Sequence, residues 1–111
     1  MPIDTNRPVK ELTFDEFKEQ VGRRVAYVVD HASVHLSEAQ RKVFNKQELI
    51  HMVEKERPKK IYLQANGRFS NYYRRSDGYR RLILEIEANR IAIVTFTDPD
   101  ELPRVSLEEN E

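Results

Sequence analysis

The stretch Lys59-Lys-Ile-Tyr-Leu-Gln-Ala65-Asn66-Gly67-Arg68-Phe-Ser-Asn-Tyr-Tyr-Arg-Arg75-Ser76-Asp77-Gly78-Tyr79-Arg-Arg-Leu-Ile-Leu-Glu-Ile86 decides the fold. Apolar and polar residues alternate through it with a period of two, the signature of half-buried strands. Lys59–Ala65 and Arg68–Arg75 flank Asn66-Gly67, a pair that favours a two-residue hairpin because both turn positions need positive φ. Ser76-Asp77-Gly78 supplies a second turn, and Tyr79–Ala88 a third strand with Leu82, Leu84 and Ile86 on one face. After Asn89-Arg90, Ile91–Thr97 is apolar on both faces, as a covered strand is. Asp98-Pro99-Asp100 ends it and Pro103 blocks a continuation. The expectation is a four-stranded antiparallel meander with sequential strands as neighbours.

Upstream the period changes to that of a helix. Thr13 and Glu16 form a capping box, with Leu12 and Phe17 placed as a hydrophobic staple. Apolar residues then recur at 14, 17, 21, 25, 28, 32 and 36. Gly22 weakens such a helix by about 1 kcal/mol relative to alanine. Val25-Ala-Tyr-Val-Val29 also suits a short strand, but the continuing stripe favours helix. A second helix starts at Asn45, with Glu48 three residues on, and Arg57-Pro58 closes it. The sequence thus predicts an α+β domain over residues 12–104, with two or three N-terminal helices on a four-stranded antiparallel meander. Residues 1–11 are expected as an arm and 105–111 as an acidic tail. Phe14, Phe17, Val21, Val25 and Val28 are expected to pack on Leu82, Leu84, Ile86, Val94 and Phe96.

The chain has 111 residues, a length that fits one domain. It has no cysteine, which excludes disulfides, thiolate metal sites and cysteine nucleophiles. No apolar run reaches the roughly 20 residues of a membrane span, and Met1-Pro-Ile-Asp does not read as a secretory signal. The expected compartment is the cytoplasm, with no membrane partner.

Nineteen basic and nineteen acidic residues give a net charge of zero, but the charges are segregated. Residues 57–81 carry eight cations against Asp77, a local +7, whereas residues 98–111 carry six acids against Arg104. The basic segment also holds Tyr62, Phe69, Tyr72, Tyr73 and Tyr79. Arginine forks grip phosphate and aromatic faces stack unpaired bases. The same composition also serves a strand that packs its tyrosines and keeps its outer face soluble with arginine.

His31 and His35 are four residues apart, with His51 a possible third zinc ligand, but Ala32 stands where a zinc protease motif needs glutamate. No metal and no cofactor are expected. Glycine-rich phosphate loops and Gly-x-Ser-x-Gly elbows are absent. Glu85 and Glu87 have arginine neighbours and are expected to form ion pairs rather than a catalytic carboxylate pair. Metal-independent RNA cleavage by the ribose 2′-hydroxyl remains open, since tyrosine, arginine and histidine supply its proton transfers and charge stabilisation. On that reading Tyr72, Tyr73, Arg74 and Arg80 are the candidate catalytic residues. Lys59, Lys60, Arg68, Arg75, Tyr79 and Arg81 are the candidate RNA-binding residues. A non-enzymatic module that docks an acidic protein partner is the alternative.

Helices followed by Tyr79-Arg-Arg-Leu-Ile-Leu-Glu-Ile-Glu-Ala and Arg90-Ile-Ala-Ile-Val-Thr-Phe-Thr-Asp-Pro resemble the RelE-like superfamily of small toxins, its BrnT-like and uncharacterised relatives more than RelE itself. His31-Ala32, Pro58-Lys-Lys-Ile61 and Ile93-Val94-Thr95 carry the resemblance, which spans about residues 28–98. It implies an RNA-cleaving domain that uses basic and aromatic sheet residues and is held inactive by an antitoxin.

Overall fold

The structure, a computed structural model, describes residues 5–30 and 36–105. Nine elements follow in chain order: β1 (Pro8–Glu11), α1 (Phe14–Val21), β2 (Val25–Val28), α2 (Glu38–Val43), α3 (Lys46–Lys55), β3 (Lys60–Gln64), β4 (Phe69–Arg75), β5 (Gly78–Ile86) and β6 (Arg90–Thr97). The α+β class holds, and β3 to β6 form the expected antiparallel meander. The sheet is larger and mixed, with six strands in the order β1-β3-β4-β5-β6-β2. The helices are interleaved with its two edge strands rather than gathered ahead of the sheet.

Both extra strands correct the sequence reading. Residues 8–11 are not an arm: β1 pairs antiparallel with β3. Four residues, three of them exposed, are too few to show a period. Residues 25–28 do not continue α1: β2 pairs parallel with β6, Val25 opposite Arg90 and Val28 opposite Ile93. The break lies at Gly22, whose φ of +58° ends the helix while its N–H still bonds Lys18 O. Beyond it the apolar spacing fits either period, and pairing with β6 decides for strand. Val25, expected in the core, is consequently 62% exposed.

Capping follows the sequence closely. Thr13 and Glu16 form the reciprocal box of α1, and Leu12 and Phe17 are both buried. Asn45 caps α3 through Glu48 N, but the Glu48 carboxylate does not reach back; it turns to Arg80 instead. Ser37 and Gln40 cap α2 in the same reciprocal way, a box the sequence reading passed over.

The two hairpins differ in detail from expectation. No described non-glycine residue has positive φ, so Asn66-Gly67 is not a two-residue turn with both positions left-handed. Gly67 N bonds Gln64 O, and Gln64 N bonds Arg68 O, enclosing a three-residue loop. The second turn is the two-residue loop Ser76-Asp77, with Arg75 opposite Gly78.

All three helices lie on one face of the sheet. Phe17, Val21, Leu49, Met52 and Val53 pack there with Ile61, Phe69, Leu82, Leu84, Ile93 and Phe96. Phe17 meets Phe69 edge to face at 5.7 Å, and Phe44 stacks on Phe96 at 6.0 Å. Val94 is absent from this core although the alternation had placed it there. A register shift at Ile83/Leu84 sets Thr95 opposite Ile83 but Ile93 opposite Leu84. The extra residue turns Ile93 inward in place of Val94.

Candidate nucleic-acid interface

The register sorts the basic hairpins into two populations. On the helix-covered face, Tyr73 pairs across from Arg80 and Arg75 from Gly78. On the other face three rows run across the strands. Arg74 lies opposite Tyr79; Lys60, Tyr72, Arg81 and Thr97 form a second row; Tyr62, Ser70, Ile83 and Thr95 form a third. The four candidate catalytic residues therefore do not form one site. Tyr72 and Arg74 share the outer face, while Tyr73 and Arg80 lie behind the sheet. Adjacent residues of a strand point to opposite sides, so Tyr72 and Tyr73 cannot converge.

Tyr73 is a core residue, 1% exposed. Burial raises its hydroxyl pKa to about 12, against a lowering hydrogen bond from the Asn71 amide. Arg80 is also committed. Its guanidinium lies 2.8 Å from Asp98 and 3.2 Å from Glu48 and 4.6 Å from the Phe96 ring centroid. It ties the end of β6 and the start of α3 to β5, and presents no free fork to a ligand.

Four of the eight cations in residues 57–81 are paired in place. Lys60 pairs with Glu11, Arg68 with Glu85 and Arg75 with Glu56, as Arg80 does with its two acids. The hydrogen bond that Lys60 donates to the Glu11 carboxylate raises the Lys60 pKa, so this amine stays charged. The expected cross-strand pairing of Glu85 is thus present, and Glu87 pairs with Arg90 and accepts from the Tyr27 hydroxyl. Among the described residues, no carboxylate pairs with Arg57, Lys59, Arg74 or Arg81. Arg57 lies over Phe14 at 4.9 Å, Arg74 over Tyr79 at 5.1 Å and Arg81 over Tyr72 at 5.9 Å. Arg57, Lys59 and Lys60 line an open cleft of about 660 Å³ beside the start of α1.

The outer face is not bare. After β6 the chain turns back over it. Tyr79 N bonds Pro99 O at 2.9 Å, and Gly78 admits this crossing, since a Cβ there would lie 2.9 Å from Pro99 O. Pro103 and Val105 then cover a cavity of about 90 Å³ that is lined by Tyr62, Gln64, Ser70, Tyr72 and Arg81 and closed at one side by Asn6 and Pro8. This crossing buries Tyr62, Ser70 and Tyr72 on the side away from the helices. Burial also raises the pKa of the Tyr62 hydroxyl. Arg81 Nε donates to Ser70 Oγ at 2.7 Å. Gln64 Oε1 is buried with no hydrogen-bond partner. An open groove of about 220 Å³ continues from there between Arg68, Ile83 and Thr95, and shares Gln64 and Arg81 with the roofed cavity.

The sequence reading missed Gln64, Ser70 and the crossing strap. The period-two pattern places Tyr62, Gln64, Ser70 and Tyr72 on one face, so the signal was available. The strap has no such signal. His31 and His35 lie outside the described residues, as does the acidic tail beyond Val105, while His51 is exposed on α3. No described helix is long and apolar enough to cross a membrane. No family model matches the chain, and no curated protein or solved structure is detectably similar to it.

Proposed function

We propose that this protein binds single-stranded RNA on the outer face of its sheet. The observation that carries this reading is the pair Arg74–Tyr79 and Arg81–Tyr72 in adjacent rows of that face. Each guanidinium lies over a ring, and neither is paired with a carboxylate. At the half-buried Tyr79 a cation on an aromatic platform offers phosphate a fork and a base a stacking surface together, whereas at the buried Tyr72 the offer is the Arg81 fork alone. Lys59 and Arg57 extend the positive track towards α1.

The resemblance to RelE-like toxins adds cleavage of the bound strand and restraint by an antitoxin. With Tyr73 and Arg80 behind the sheet and Tyr72 buried beneath the strap, proton transfer falls to Tyr79, and phosphate holding to Arg74 and Arg81. Anisotropy of a labelled, unstructured oligoribonucleotide across a salt series tests binding. Four phosphate contacts give a log–log slope near −3, at about −0.7 per contact. Arg74→Ala is expected to reduce the slope by about 0.7, whereas Lys42→Ala on α2 leaves it unchanged. Absence of binding at low salt overturns the reading. Cleavage is read on the same oligonucleotide with chelator present, and an intact strand removes the enzyme part alone. Should polyglutamate compete as well as RNA does, the acidic-partner alternative takes its place.

A further inference from the structure

We infer that the cavity beneath Pro103 and Val105 is a seat for a single nucleobase, closed in this structure by the chain's own strap. The inference rests on the RNA-binding reading and specifies where on that face a base is held.

Three observations converge on the cavity. The first is the orphaned Gln64 Oε1, an acceptor on a side chain only 3% exposed. A buried amide oxygen without a donor is costly to the fold, so it calls for a partner. Gln64 lines both the roofed cavity and the open groove, so its side chain lies between the two spaces. The second is the chemistry of the walls. Tyr62 and Tyr72 meet edge to face at 6.1 Å, and Arg81 lines both spaces while only its Nε is hydrogen-bonded. An acceptor, guanidinium donors and aromatic walls suit a flat ring whose edge carries both a donor and an acceptor. A nucleobase has that edge.

The third is the weakness of the roof. Among the described residues, the last polar anchors of the strap are the Asp98–Arg80 pair and the Pro99 carbonyl. None of the described hydrogen bonds or ion pairs involves Glu101–Val105. Pro103 has no N–H to donate. Among the described residues no polar contact holds Glu101–Val105, and the anchors leave this stretch a defined point from which to swing. About 90 Å³ holds roughly three waters, at 30 Å³ each, and is too small for a base. Occupancy thus requires the roof to lift, and apparent affinity falls by the fraction of molecules in which it is open.

The test uses the full chain with two probes: uncharged adenosine or cytidine, and the oligoribonucleotide above. Nuclear magnetic resonance reads the Gln64 side-chain amide and the tyrosine rings, and anisotropy reads RNA affinity. The expected result is that nucleoside shifts the Gln64, Tyr62 and Tyr72 signals. Pro103→Gly combined with Val105→Ala is expected to tighten both probes about three- to tenfold by loosening the roof. Gln64→Leu is expected to weaken both about tenfold, while Gln64→Glu, which keeps an acceptor, restores part of the loss. The strap variant changes only peripheral residues, so it reads the idea even where Gln64→Leu folds poorly. If Arg74→Ala weakens RNA binding but the strap variant and Gln64→Leu leave it unchanged, the RNA reading stands and the base seat is overturned. Nucleoside binding at Gln64 without RNA binding has the opposite meaning. The seat is overturned too if adenosine and cytidine shift only signals outside it.

Discussion

At the scale of single residues, the lesson is in the neighbours Tyr72 and Tyr73. They read as one aromatic pair in the sequence, yet the pleat sends one to the outer face and one into the core. The alternation that identified β4 already contained this separation; treating the hairpin as one cluster of useful side chains overrode it. Glu11, Glu48, Glu56 and Asp98, which neutralise three of the eight cations, left no local signal because each lies outside the basic hairpins. Tyr73 gives a testable pH dependence. Its pKa is raised from 10 to about 12, so the fold favours the neutral phenol. That contribution, roughly 2–3 kcal/mol, is complete below pH 10 and is lost as pH rises through 12. Urea midpoints measured from pH 9 to 12 are expected to fall steeply for the native chain and less for Tyr73→Phe. Gly78 gives a second prediction. With φ at +141° and Pro99 O in the way, Gly78→Ala is expected to cost about 1–3 kcal/mol, read as a lower urea midpoint at unchanged slope. An unaltered midpoint would show that the strap does not press on this position.

At the scale of elements, the central strands and the caps were legible because their signals are local. Period two, turn residues and the Thr13 and Asn45 boxes need no knowledge of the rest of the chain. The edge strands were not legible because what makes them strands is a distant partner. Val25–Val28 fits a helical stripe as well as a strand until β6 is placed beside it. Its free edge is partly blocked: Ala26 N donates to Glu54 Oε2 on α3 at 2.9 Å. This carboxylate occupies a backbone donor that would otherwise be open to another strand. Glu54→Ala is expected to cost about 1 kcal/mol and to speed amide exchange at Ala26. Glu54→Gln, which keeps an acceptor, is expected to restore much of the protection. Equal exchange in all three proteins would show that α3 does not guard this edge.

At the scale of the whole molecule, zero net charge is a poor guide to what the surface offers. Ion pairs spend four of the eight cations of residues 57–81 on holding elements together, and the rest face outward or line the cleft beside α1. The core is less ambiguous. Leu84, fully buried on the central β5, is expected to cost 2–5 kcal/mol as Leu84→Ala. Such a loss is a large share of the stability of a domain this size. The topology also sets an order of events during synthesis. The first two strands made, β1 and β2, become the two outer edges of the sheet, and β2 finds its partner in β6, more than sixty residues later. At roughly 5–20 residues per second, the apolar run Val25-Ala-Tyr-Val-Val29 leaves the ribosome several seconds before Arg90–Thr97 exists to cover it. Substitutions that make this run more apolar should therefore lower the yield of folded protein in the cell while leaving the equilibrium stability of the purified protein unchanged.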